Sequence, residues 1–130
     1  MVTIRALECA ELPAAVALLA RGMLDNPVNV AAFGSDPRRR ERSLQRLFGT
    51  LFRGPVAVAP DRHGHGCGSA LLNAYCRALD AAGEVSYLET DKSENVPFYQ
   101  RNGYAAVAEA DVIGVPNWFM IRRPVPPIVA

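Results

Sequence analysis

The stretch from Val56 to Leu72, VAVAPDRHGHGCGSALL, narrows the choice of folds more than any other part of this chain. A short β-prone run gives way to glycines at alternate positions, Gly64, Gly66 and Gly68, and then to residues that favour a helix. Glycine lets a backbone turn tightly and lets a ligand approach without side chains intervening. The loop opens onto a helix start, where unpaired N–H groups and the helix dipole attract anions. With a further strand expected at 85–90, the order is strand, loop, helix, strand. That is a βαβ unit, which makes strands 55–59 and 85–90 parallel neighbours.

The rest of the chain is read around this unit. Thr3 to Leu7 alternates and predicts a first strand. Glu8 to about Met23 predicts a helix, with Val16, Leu19 and Met23 at helical spacing. Asn26-Pro27 interrupts the pattern, so residues 26–34 are expected to be irregular. Ser35-Asp36-Pro37 then offers a cap ahead of a first-turn proline, opening a helix with Leu44, Leu47, Phe48 and Leu51 on one face. The loop helix is expected from Ser69 to Ala82, with Gly83 as its cap. A short helix over about 96–102 closes at Gly103. Strands at 104–113 and 117–122 follow, joined around Gly114-Val115-Pro116. The expectation is one α/β domain over residues 1–130, with a mixed sheet of about five strands flanked by helices.

Composition removes several classes of function. Half of the residues are hydrophobic and the formal net charge is +1. A nucleic-acid protein normally carries a strong basic excess, so no nucleic-acid partner is expected. The run Arg38-Arg39-Arg40 is met at once by Glu41 and reads as the solvated first turn of a helix. No stretch approaches the ~20 apolar residues that a membrane helix needs. The opening MVTIRALECAELP carries charge early and lacks the long apolar core of a secretory signal. Three cysteines, Cys9, Cys67 and Cys76, fit free thiols in a reducing cytoplasm.

The glycine loop has competing readings. No Gly-Lys-Ser/Thr follows it, which excludes a Walker loop, and the third glycine comes one residue early for G-x-G-x-x-G. His63, His65 and Cys67 alternate with glycines and have no second ligand cluster nearby, which argues against a metal site. A tight connection with no ligand stays open, as does a pyrophosphate cradle.

Three groups of residues now carry a resemblance. His63-Gly64-His65-Gly66-Cys67-Gly68, after the strand Val56-Ala57-Val58, resembles the Gln/Arg-x-x-Gly-x-Gly/Ala signature of the GNAT N-acetyltransferases. Asn95, followed by Phe98-Tyr99 and then Gly103-Tyr104, is similar to the family's later motif. Leu88-Glu89-Thr90, Asn95-Val96-Pro97 and Asn117-Trp118-Phe119-Met120 resemble the puromycin N-acetyltransferase-like branch. The resemblance is close over 55–123 and looser over 1–52.

This resemblance implies an enzyme that passes the acetyl group of acetyl-CoA directly to the amine of a small molecule, with no metal. It assigns the coenzyme A pyrophosphate to the loop residues His63, Gly64, His65, Gly66, Cys67, Gly68 and Ser69. It assigns the pantetheine arm to the backbone of Val56, Ala57 and Val58, and further cofactor contacts to Asn95 and Phe98. Tyr99 would donate a proton to the departing thiolate. His63 departs from the family's Gln or Arg, which moves the weight onto backbone amides. The base that takes the amine's proton is Glu89 or a relaying water.

The family also places at least two antiparallel strands between its second helix and the cofactor strand. Here only Arg53 and Gly54 fill that interval, so the central hairpin is expected to be missing and Thr3–Leu7 to pair directly with Pro55–Ala59. Failing that pairing, an exposed strand edge would invite a homodimer. The alternative function is a shortened, catalytically weak or inactive module that binds coenzyme A or serves as an interaction domain.

Overall fold

The computed structural model describes residues 3–51, 64 and 66–129. The chain divides into two compact units, Met1–Gly68 and Ser69–Ala130, and each has a core of its own.

In the first unit, residues 3–7 are not assigned to a strand, and all five are exposed. Alternation alone gives them β-propensity, whereas a strand exists only as a member of a ladder. The expected partner, 55–59, lies outside the described residues. The helix expected from Glu8 starts as a single 3₁₀ turn, Cys9–Glu11, and becomes α-helical (α1) over Leu12–Gly22. Pro13 explains the shift, because it lacks an N–H and is tolerated only in a first turn. Arg5 grips Glu11 with two bonds of 2.6 and 2.8 Å, and Glu11 Oε2 accepts from the Glu8 amide at 2.9 Å.

Residues 26–34 correct the sequence reading. They hold a helix, α2, over Pro27–Phe33. Asn26 is extended ahead of Pro27, and Gly34 leaves the helix at φ +88° while its N–H bonds the Val30 carbonyl at 2.9 Å. The third helix, α3, spans Pro37–Leu51, and Asp36 Oδ1 caps it by accepting from the Arg38 amide at 3.0 Å. Leu44 and Phe48, one turn apart, are buried with Leu19 and Ala20, and Val16, Met23, Leu24 and Phe33 pack around them. Burying side chains of this size contributes about 2–3 kcal/mol each. Leu47, expected on the same face, stays partly exposed.

The arginine run is not uniformly solvated. Arg38 and Arg39 are exposed, but Arg40 is buried at 3% exposure. It lies one turn before Leu44 on the core face of α3, so its guanidinium must find acceptors inside. It donates to the Leu24 carbonyl, the Gly34 carbonyl at 2.8 Å and Asp25 Oδ1 at 2.9 Å. The turns on both sides of α2 are thereby tied to α3.

The helix α4 (Cys67–Ala82) begins two residues earlier than expected, and from Ser69 on it belongs to the second unit, with β1 (Ser86–Thr90), α5 (Asn95–Arg101), β2 (Ala105–Val112) and β3 (Val115–Arg122). Both helices end in the same way. Gly83 (φ +67°) and Gly103 (φ +87°) take the left-handed conformation. The Glu84 amide reaches back to Leu79 at 3.0 Å, and the Tyr104 amide to Tyr99 at 3.1 Å. These are Schellman closures, and glycine adopts their central conformation without strain.

The three strands form one antiparallel sheet in the order β1-β3-β2. The strand expected at 55–59, the parallel partner of 85–90, lies outside the described residues, and a sheet shortened to about five strands is compatible with the three described. β2 and β3 form a hairpin closed by Val112 opposite Val115. Its turn is Ile113-Gly114, both at positive φ, rather than Gly114-Val115-Pro116. Two positive-φ residues make the primed turn whose twist suits a hairpin. Leu72, Cys76, Tyr104 and Met120 form the core, with Leu88, Val96, Phe98 and Tyr99 packed against it.

Candidate active site

The loop is best read from its glycine geometry. Gly64 and Gly66 sit at φ +78° and +77°, and a Cβ added at either would meet nothing within 4 Å among the described residues. The turn therefore needs glycine for its backbone, and the space beside it is open. α4 begins at once, at Cys67, and runs for 16 residues with no acidic side chain in its first turn. The opening amides of such a helix lack partners within it and sit at the positive end of its dipole. Among the described residues, this arrangement fits a pyrophosphate. Cys67 and Gly68 are half-buried and Ser69 is exposed. Val56, Ala57, Val58, His63 and His65 lie outside the described residues.

Tyr99 lies in the second unit. α5 carries Asn95 as its first residue, with the Asn95 amide bonded to the Lys92 carbonyl at 3.0 Å. One turn on, Phe98 and Tyr99 meet edge to face, with ring centroids 5.3 Å apart. Tyr99 packs in the same manner on Tyr104, at 5.9 Å. Tyr104 is buried, and its hydroxyl shares a 2.8 Å hydrogen bond with Ser86 Oγ. Tyr99 is thus fixed by rings on two sides. Burial pushes its hydroxyl above the ordinary value, so the proton is retained across the neutral range. An acid that must hold a proton until a thiolate leaves has this requirement.

Glu89 is placed differently. Alternation along β1 sends Leu88 toward Met120 and the α5 side, and Glu89 to the opposite face. Tyr99 and Glu89 therefore flank β1 from opposite faces of the sheet. Glu89 Oε1 accepts from the Tyr87 hydroxyl at 2.8 Å, so the two side chains share that face. Asp91 is buried just past the end of β1, where Thr90 turns the chain by accepting from the Lys92 amide at 3.3 Å. Glu94 is exposed.

Sequence reasoning passed over the aromatic partner of Glu89. Phe119 lies directly across from it on β3 and stacks on Tyr87 at 6.4 Å, with the rings 11° from parallel. The cue was present in the i, i+2 spacing of Tyr87 and Glu89, but the pairing register that adds Phe119 is not local. No group of three or more His, Cys, Asp or Glu able to hold a metal occurs among the described residues. Nor does any helix among them have the length and apolarity to cross a membrane.

Known structures share this fold. The crystal structure described as histone acetyltransferase HPA2 and related acetyltransferase, from Corynebacterium glutamicum, superposes with a TM-score of 0.68 at 18% identity. The match covers 95% of this chain and 96% of that one. The fold is thus of the α/β acetyltransferase type. The family model of the acetyltransferase (GNAT) domain matches residues 17–106, and the chain belongs to that family.

Proposed function

We propose that this chain is an acetyl-CoA-dependent N-acetyltransferase that acts on a small-molecule amine. The observation that carries the reading is the pair of left-handed glycines, Gly64 and Gly66, running straight into the N-terminus of α4. Amides from Gly64 through Ser69 would hold the pyrophosphate, with Asn95 and Phe98 as further contacts on α5. Val56, Ala57, Val58, His63 and His65 keep the cofactor roles that the resemblance gives them. When bound, acetyl-CoA supplies the activated acetyl group. Tyr99 holds at Oη the proton that the departing sulfur requires, and Glu89, directly or through water, takes the proton of the amine.

The proposal extends to a single GNAT domain over residues 1–130 that lacks the central hairpin and belongs to the puromycin N-acetyltransferase-like branch. It also places the protein in the cytoplasm, with a homodimer as its assembly if Thr3–Leu7 does not pair with Pro55–Ala59. The branch rests on the wording around Leu88-Glu89-Thr90 and Asn95-Val96-Pro97. The missing hairpin rests on the two residues, Arg53 and Gly54, between the second expected helix and strand 55–59.

The test is thiol release from acetyl-CoA across a panel of primary amines. Release that depends on both the amine and the protein is the expected result. Acetyl-CoA binding without release for any amine would instead favour the inactive, coenzyme A-binding module.

A further inference from the structure

Resting on the acetyltransferase reading, we infer that Tyr87, Glu89 and Phe119 form the recognition site for the acceptor's ammonium group. The acceptor class is then a primary amine borne on an apolar, flat carbon skeleton and bound in its protonated form. The three residues make a triangle on one face of the sheet. Glu89 and Phe119 are direct cross-strand neighbours, and Tyr87 lies two residues before Glu89 and diagonal to Phe119. Side chains so placed are close enough to act on one ligand.

Three features give the triangle its chemistry. The Tyr87 hydroxyl holds Glu89 Oε1 at 2.8 Å, which fixes the carboxylate and leaves Oε2 for another donor. Tyr87 and Phe119 lie nearly parallel, 11° apart, so together they present a flat aromatic surface beside that charge. Tyr87 is 55% exposed, so this surface is open to a ligand.

On the same face Ile121, Ala105, Ala108 and Ala110 are uncharged, Asn117 is buried, and Asp91, two residues beyond Glu89, adds a buried carboxylate, so no position named there carries a positive charge. Among the described residues the Glu89 carboxylate has no basic partner. An alkylammonium satisfies both parts at once, with a charge-assisted bond to the carboxylate and cation–π attraction to the rings. A neutral hydroxyl satisfies neither fully, and an anion is repelled.

The test uses 2-phenylethylammonium as probe and 2-phenylethanol as its neutral counterpart, titrated into the full chain near pH 7 and followed by NMR. Saturable binding of the cation, about tenfold tighter than the alcohol, is expected. Glu89→Gln should remove that preference and leave the alcohol unchanged, while Phe119→Ala should weaken both. Equal binding of the two probes by the wild type, no binding of the cation, or an undiminished preference in Glu89→Gln overturns the inference. Stabilisation by acetyl-CoA, measured on the same proteins, reads the acetyltransferase proposal separately. It should persist in Glu89→Gln, which also shows that this variant is folded.

Discussion

Arg122 and Asp80, 42 positions apart, meet as a two-pronged ion pair with N–O distances of 2.7 and 2.8 Å. Arg122 Nε also donates to the Asn102 carbonyl at 3.1 Å, and Asp80 Oδ1 accepts from the Val125 amide at 2.8 Å. The end of β3 is thereby tied to the last turn of α4 and to the residue that closes α5. A Cβ on Gly103 would lie 3.2 Å from Arg122 Nε, so this glycine serves both its own φ and the approach of the arginine. Tyr99 sits on the helix that this network closes.

The pair sets an acid limit on stability. The Arg122 guanidinium, chiefly through its hydrogen bonds, holds Asp80 down at about 2 against an ordinary 3.8. A depressed folded-state value means that the stabilisation is complete above the unfolded value and is lost as pH falls from about 4 toward 2. Asp80→Asn should lower stability at neutral pH and flatten the acid limb of a denaturation series over that window. Glu11, held at about 2 by Arg5, should supply part of the remaining slope. That pair is more exposed, so its share should shrink in about 1 M salt.

Arg40 gives a second prediction, in the other unit. Replacing it with methionine keeps much of the volume but leaves the Leu24 and Gly34 carbonyls without their donor. The expected loss is on the order of 3 kcal/mol in chemical denaturation. Arg40→Lys should recover only part of it, because a single ammonium cannot reproduce the fork of a guanidinium. Asp25 is 82% exposed, so Asp25→Asn should change little.

These two arginines show where the sequence could be read and where it could not. Gly83 and Gly103 announced both helix ends, because a left-handed closure is a local demand that glycine meets. Asp36-Pro37 announced α3 for the same reason. Asn26-Pro27 and Gly34 carried equivalent signals for α2, and that segment was expected to be irregular because its apolar pattern is too short to show a period. The burial of Arg40 and Asp91 depends on what the fold brings to them, which neighbours in sequence do not reveal. At the site, the glycine loop was legible from spacing, and Tyr99 from the resemblance of Phe98-Tyr99 and Gly103-Tyr104 to the GNAT motif. Phe119 was not, because its place beside Glu89 depends on the register of β1 on β3.

Ile113 offers a stabilising change. It is a β-branched residue at φ +51°, 64% exposed, in a turn that favours asparagine before glycine. Ile113→Asn should raise stability by about 1 kcal/mol, by relieving the left-handed strain with little packing to lose. An increase in melting temperature of a few degrees would show it.

Tyr99→Phe tests the proton donor. The rings of Phe98 and Tyr104 would still hold the side chain in place, so the affinity for acetyl-CoA should stay nearly constant. Turnover should fall about a hundredfold, the low end of what a positioned acid contributes. Because burial raises the Tyr99 value, its deprotonation should not limit turnover below about pH 10. Equal turnover in the two proteins would dismiss this role.

The central claim, that the loop into α4 is a cofactor cradle, is tested most directly by thermal unfolding with and without acetyl-CoA. At a hundred times its dissociation constant, the ligand should stabilise the wild type by about 2.7 kcal/mol. Gly66→Val should lose most of that ligand-dependent gain, because a branched side chain cannot hold φ near +77° or leave the space beside it open. No stabilisation of the wild type, or the same gain in Gly66→Val, would contradict the account.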